Sequence, residues 1–162
     1  VKSLGAWIAG QFDPALNWDD VAWIRSIWPG KLIIKGVLDV GDAKLAAGTG
    51  ADAIVVSNHG GRQLDGAPSA ISTLPRIVEA VGGETEVIFD SGVRSGQDVL
   101  RALALGAKSC LIGRAFLYGL GAGGEAGVAK AIDIIGRELN ISMALTGRRS
   151  IAEIDDTVID RG

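Results

Sequence analysis

Three short stretches of this sequence gather side chains suited to acid–base and anion chemistry. Ser57-Asn58-His59-Gly60-Gly61-Arg62-Gln63-Leu64-Asp65 places the only histidine of the chain three residues before an arginine. Asp90-Ser91-Gly92-Val93-Arg94 sets a carboxylate and a guanidinium around a glycine, and Gly113-Arg114 repeats the glycine–arginine pair. Lys35 closes the apolar run Leu32-Ile33-Ile34. An imidazole beside a guanidinium is able to take a hydroxyl proton while the arginine fixes a carboxylate in its planar donor fork. Gly92 and Gly113 would let the backbone approach an anion closely, and Arg94 and Arg114 would add charge, which is the make-up of a phosphate site. The competing reading pairs these arginines with surface carboxylates and leaves the glycines as plain turns. Lys35 likewise has two readings. Its stem snorkels to solvent, or its ammonium stabilises negative charge developing on a bound cofactor.

Short apolar strands alternating with helical stretches position these residues. Asn17 caps a first helix, with Asp19 and Asp20 in its first turn, and Pro29-Gly30 stops it. Its Trp and Ile residues recur at helical spacing and read as a packing face. Strands are expected at 31–35, 53–56, 86–89 and 109–112, each a near-continuous apolar run of the kind covered on both faces. Helices are expected from near Asp42, from about Leu74 to Val81, from Ser95 to Gly106 with a capping box to Asp98, and over about Glu125 to Leu139. The stretch 57–69 reads as a long loop, and 1–14 as another, with Trp7 and Ile8 exposed. This alternation specifies an α/β fold with a parallel sheet and helical crossovers. Two architectures fit it: an open doubly wound sheet, or part of a (β/α)₈ barrel. In both, ligands sit beyond the carboxyl ends of the strands, where all of the residues above fall.

Other features exclude classes of function. The 162 residues contain 24 glycines, about twice the usual share, without the period of collagen. A net charge of −3 gives no footprint for nucleic acid. The single cysteine, Cys110, excludes a disulfide framework and a multi-cysteine metal site, so no metal is expected and a reducing, cytoplasmic setting is. It lies inside an apolar strand and reads as a small core residue. Gly119-x-Gly121-x-x-Gly124 matches a dinucleotide-binding pattern but does not directly follow a strand, and reads instead as a flexible entry to the last helix. Arg148-Arg149 reads as a solvated pair. A start at Val1 fits either removal of an initiator or a piece of a longer chain.

The run S-N-H-G-G-R-Q-L-D at 57–65 resembles the signature of the FMN-dependent L-2-hydroxy acid oxidases and dehydrogenases. The likeness extends through I-I-K-G at 33–36, D-S-G-V-R at 90–94 and L-I-G-R-A-F-L-Y-G at 111–119, from about Trp18 to Ile154 in the family's order. It implies FMN as cofactor and oxidation of an L-2-hydroxy acid, of lactate or mandelate type, to the 2-keto acid. His59 would take the hydroxyl proton as the α-hydrogen passes to flavin N5, and Arg62 would bind the substrate carboxylate. Lys35 would sit near flavin N1 and O2, and Ser57 against the ring. Asp90, Ser91, Gly92 and Arg94 would hold the ribityl–phosphate region, with Gly113 and Arg114 on the phosphate. The family fold is a complete (β/α)₈ barrel, of which residues 1–162 resemble the C-terminal half, with 1–16 as a loop and 17–162 as βα units. Implied partners are an electron acceptor (oxygen, a quinone or a cytochrome), further copies of the chain in a homo-oligomer, and peripheral contact with the inner membrane. The alternative is a non-catalytic half barrel that binds phosphate or self-associates.

Overall fold

A computed structural model of the chain describes residues 3, 5, 7, 10, 11 and 13–160. Its frame is a sheet of four parallel strands, β1 (Ile33–Val37), β2 (Ala53–Val56), β3 (Glu86–Phe89) and β4 (Ser109–Cys110), ordered as they follow in the chain. Helices α1 (Trp18–Ile27), α2 (Val40–Gly48), α3 (Ala70–Val81), α4 (Gly96–Ala104) and α5 (Arg114–Leu145) alternate with them. Among the described residues no strand pairs with the free edge of β1 or of β4, so this is an open arc of βα units.

Local signals set most boundaries. Asn17 and Asp20 form a reciprocal capping box at α1, as Ser95 and Asp98 do at α4, and the Asp39 carboxylate caps α2 by accepting the Gly41 and Asp42 amides. β2 and β3 fall on the expected residues. α3 begins four residues before the expected Leu74, because Ala70, Thr73, Leu74, Ile77 and Val81 form one continuous buried stripe and Pro75 is accommodated within it. β4 is two residues rather than four. It has a neighbour on one side only, although the Leu111 amide still donates to the Phe89 carbonyl at 2.8 Å.

The core lies between the sheet and its helices. Val37, Ile54, Val56, Val87 and Phe89 meet Ala43, Ala46, Leu74, Ile77 and Ala102 there. In β1 the pairing runs Lys35 to Val55 but Val37 to Val56, so Gly36 (φ 101°) is an extra residue in a bulge. The bulge reverses the alternation. Val37 joins the helix-side core, while Lys35 lies on the opposite face with Val55 and Ile88.

Four expectations need correction. The stretch 1–14 is not loop throughout: Gly5 and Trp7 are helical, and the Trp7 amide donates to the Ser3 carbonyl at 3.0 Å. Trp7 is exposed, as expected, whereas Ile8 lies outside the described residues. Among the described residues the apolar face of α1 is only partly covered: Trp18 packs against the core, but Trp23 is 62% and Ile27 59% exposed. The Gly119–Gly124 segment leads into the expected last helix from Glu125, but it is helical rather than irregular up to a break at Gly123 and Gly124, across which the two parts of α5 fold back against each other. A Cβ on Gly119 would meet the Gly127 carbonyl oxygen at 2.4 Å, a separation only paired glycines allow. Arg148 is not merely solvated, because its guanidinium donates to Asp155 Oδ1 at 2.8 Å and to the Thr157 hydroxyl.

At the amino ends of the strands, Asp52 accepts from Lys31 Nζ at 2.6 Å, from the Leu32 amide at 2.9 Å and from Arg25 Nη1 at 3.2 Å. The hydrogen bond from Lys31, followed by that from Leu32, holds its carboxyl down at about 2. The folded value lies below the unfolded one (~3.9), so this cluster stabilises fully above about pH 4 and its contribution is lost as pH falls toward about 2. Asp52→Asn is expected to destabilise the protein at pH 6 and to reduce the further loss between pH 6 and pH 3, read from urea midpoints.

Candidate active site

Four strand ends converge on one cavity of about 700 Å³ beyond the carboxyl edge of the sheet. β1 contributes Lys35, the segment after β2 contributes His59 and Arg62, the segment after β3 contributes Asp90, Ser91, Gly92 and Arg94, and the segment after β4 contributes Gly113 and Arg114. Ser57 lies beneath them, buried at the end of β2. All ten site residues expected from the sequence therefore occupy one rim.

Side-chain hydrogen bonds tie the strand ends together. Lys35 Nζ donates to Ser57 Oγ at 2.9 Å and forms a close ion pair with Asp90. Ser57 Oγ also accepts the His59 amide at 3.0 Å. Ser91 donates to Asp90 Oδ1 at 2.8 Å and accepts the amides of Asn58 and Gly60, each at 3.2 Å. Burial pushes the Asp90 carboxyl up, but hydrogen bonds from Lys35, Ser57 and Ser91, together with the lysine charge, outweigh it and hold the carboxyl below its ordinary value. Asp90 is thus an anion at neutral pH, and Lys35 is its counter-charge.

The histidine segment is a single 3₁₀ turn, His59–Gly61, in which His59 (φ 55°), Gly60 (φ 67°) and Gly61 (φ 73°) are all left-handed. Glycine takes that conformation freely, whereas for histidine it is uncommon and requires support from its surroundings. Asn58 supplies part of this support, its Oδ1 accepting the Gly60 amide at 2.9 Å and its Nδ2 donating to the Pro68 carbonyl at 3.2 Å. Arg114 reaches across from α5 to donate to the Gly60 carbonyl at 3.0 Å. A Cβ at position 60 would meet Arg114 Nη2 at 2.7 Å, so the glycine makes room for that bond. Arg114 thus braces the histidine turn as well as lining the cavity. The Arg94 amide donates to Asp98 Oδ2 at 3.0 Å, which fixes the start of α4 behind it.

Lys35, Arg62, Arg94 and Arg114 face a single carboxylate, Asp90, across the cavity. A cationic pocket on a chain of net charge −3 concentrates field on an anionic ligand. The opposite wall is apolar, with Leu111, Leu117, Tyr118, Ile134 and Ile135. Sequence reasoning missed this wall and the role of Asn58. The paired glycines 119 and 127, which bring the two parts of α5 together, were the available signal for the wall. Cys110 is a core-facing thiol as expected, and burial pushes it up to about 12.

The FMN-dependent dehydrogenase family matches residues 1–161, and the chain belongs to it. Among curated relatives, the L-lactate dehydrogenase of Caulobacter vibrioides is 56% identical over 153 residues, covering 94% of this chain and 40% of that protein. That of Azorhizobium caulinodans is 58% identical over 148 residues, covering 91% and 39%. Among solved structures, the monotopic membrane protein (S)-mandelate dehydrogenase superposes with a TM-score of 0.92 at 39% identity, over 98% of this chain and 42% of its own. A mandelate oxidase variant with a monooxide FMN adduct superposes at 0.85 with 44% identity, over 90% and 46%. FMN is the family's cofactor. The chain spans about two fifths of the length of the curated relatives it matches.

With its thiol at about 12 rather than near 9, folded Cys110 carries roughly 1000-fold less thiolate at pH 8. Iodoacetamide is expected to leave it intact in the folded protein and to alkylate it quickly in urea, as read by mass spectrometry.

Proposed function

We propose that residues 1–162 form the C-terminal half of the barrel of an FMN-dependent enzyme that oxidises an L-2-hydroxy acid, of lactate or mandelate type, to the 2-keto acid. In this reading catalysis requires the other barrel half as well. The observation that carries the proposal is the convergence of His59, Arg62 and the Lys35–Asp90 pair on one cationic cavity. The donor set suits FMN: cations for a phosphate, a carboxylate for hydroxyl groups, and an open space at Gly36, Gly92 and Gly113, where a Cβ would meet nothing within 4 Å.

Arg94, Arg114 and the Gly113 backbone would hold the phosphate, and Asp90 and Gly92 the ribityl chain. Lys35 and Ser57 would lie against the ring system. Bound FMN would supply the two-electron acceptor, receiving the substrate's α-hydrogen with its bonding pair. Arg62 pairs its guanidinium with the substrate carboxylate and so fixes which face of the α-carbon is presented. The His59 imidazole accepts the hydroxyl proton as the carbonyl forms, becoming an imidazolium. Lys35 meets negative charge at the far side of the site, pre-placed by Ser57 and Asp90 so that little reorganisation accompanies the reaction.

The electron acceptor is proposed to be oxygen, a quinone or a cytochrome, and the assembled enzyme a homo-oligomer resting peripherally on the inner membrane. Support for the membrane contact comes from the monotopic (S)-mandelate dehydrogenase and from exposed Trp7 and Leu16.

Anaerobic L-lactate or L-mandelate is expected to bleach the flavin of the intact, FMN-loaded polypeptide. Bound flavin that resists every L-2-hydroxy acid overturns the proposal. His59→Gln is expected to slow bleaching by about 10²–10⁴-fold and to leave FMN affinity unchanged. A flavin-free symmetric dimer of a native 16.7 kDa chain would instead favour the non-catalytic half barrel.

A further inference from the structure

We propose that Ser91 is a positioning residue for His59, holding the histidine turn in place from the neighbouring strand end. The inference rests on the reading of His59 as the base.

A serine hydroxyl has one donor and two acceptor sites, and Ser91 commits all three within the protein. Its O–H donates to Asp90 Oδ1 at 2.8 Å, and its oxygen accepts the amides of Asn58 and Gly60, each at 3.2 Å. Those are the two residues flanking His59. The amide between them, that of His59, donates to Ser57 Oγ at 3.0 Å. Three successive amides of the histidine turn therefore end on two hydroxyls, and both hydroxyls belong to the network around Lys35 and Asp90. With its bonding capacity filled, the Ser91 hydroxyl has no site left for a bound ligand, although the residue lines the cavity. Its role is to set where the imidazole stands.

The backbone of Ser91 argues the same way. Its φ of 77° lies in the left-handed region, where a serine is strained and a glycine is not. The next residue, Gly92 (φ 93°), has the side-chain-free solution. If position 91 served only to turn the chain, glycine would serve it at lower cost. The strain is offset by what the hydroxyl does, which is to hold a second strained residue, His59 (φ 55°), across the gap between two strand ends. The Asp90–Lys35 pair on the proposed flavin side and the histidine turn on the substrate side are thereby fixed relative to each other.

The test compares Ser91→Gly and Ser91→Ala with His59→Gln in the intact polypeptide. Glycine accepts the backbone conformation without strain, so Ser91→Gly keeps the protein folded while removing the hydroxymethyl group, and Ser91→Ala removes the hydroxyl alone. In the flavin-free protein, amide exchange over residues 57–62 is expected to rise about tenfold or more in both Ser91 variants and to stay at the parental rate in His59→Gln. In the FMN-loaded protein, bleaching by L-lactate or L-mandelate, expressed per bound flavin, is expected to slow by about 10- to 100-fold in Ser91→Gly, with KM and FMN affinity within about threefold of the parent. A merely structural role would lower flavin occupancy and leave the rate per flavin unchanged, and that result overturns the inference. So does parental exchange together with parental bleaching in Ser91→Gly. If His59→Gln abolishes bleaching while Ser91→Gly is parental, only the positioning role fails. If His59→Gln bleaches at the parental rate, the base assignment fails and the inference falls with it.

Discussion

The ion pair between Lys35 and Asp90 joins the ends of two strands that are not neighbours, β1 and β3, across the end of β2. The Asp90 side chain is only 16% exposed and its charge there needs a partner, which half-exposed Lys35 supplies. Ser57, buried between them, shares the lysine and in turn holds the His59 amide. Lys35, Asp90, Ser57 and Ser91 are thus one bonded unit. Its geometry follows from the register of the sheet below it.

That dependence explains the features of the backbone near the site. The regular pairing of 33–35 with 53–55 sets Lys35 on the cavity face, and because Gly36 is an extra residue in β1, Val37 beyond it lies in the helix-side core. His59 adopts a left-handed turn only because hydroxyls from two strand ends and the Asn58 amide group receive its neighbouring amides. The hydrophobic core sits on the helix side and is well filled, whereas the strained residues stand at the carboxyl rim. Rigid layers below and strained turns above are how a parallel fold separates stability from chemistry.

Much of this was legible in the sequence. The runs 53–56 and 86–89 are strands residue for residue, because each is short, rich in β-branched or aromatic residues and closed by a polar one, Ser57 or Asp90. The cap at Asn17 and the capping box at Ser95 marked their helices for a similar reason, since each is a local bond between residues two or three apart. Nine of the ten rim residues could be named because they follow a strand, whereas Lys35, expected to close a strand at 31–35, lies within β1, which runs two residues further. What could not be read depends on distant parts of the chain. The bulge at Gly36 is defined by its partner strand, and the folding back of α5 by a contact between Gly119 and Gly127. The apolar face of α1 read as a packing face, but its pattern carries no address for what covers it. The bonds made by Ser91 and Arg114 join segments 31 and 54 residues apart, beyond the reach of any local pattern.

The strand order of the sheet has a consequence of its own. Because β1 to β4 lie side by side in the order of synthesis, each strand docks on the one made just before it, and both unpaired edges end up at the flanks of one arc. Any segment that closes this arc into a ring has to engage both flanks. Its first contact confines its other end near the second flank, which raises the effective concentration there and makes closure cooperative. A segment held at one flank alone would therefore be bound more weakly than one that engages both.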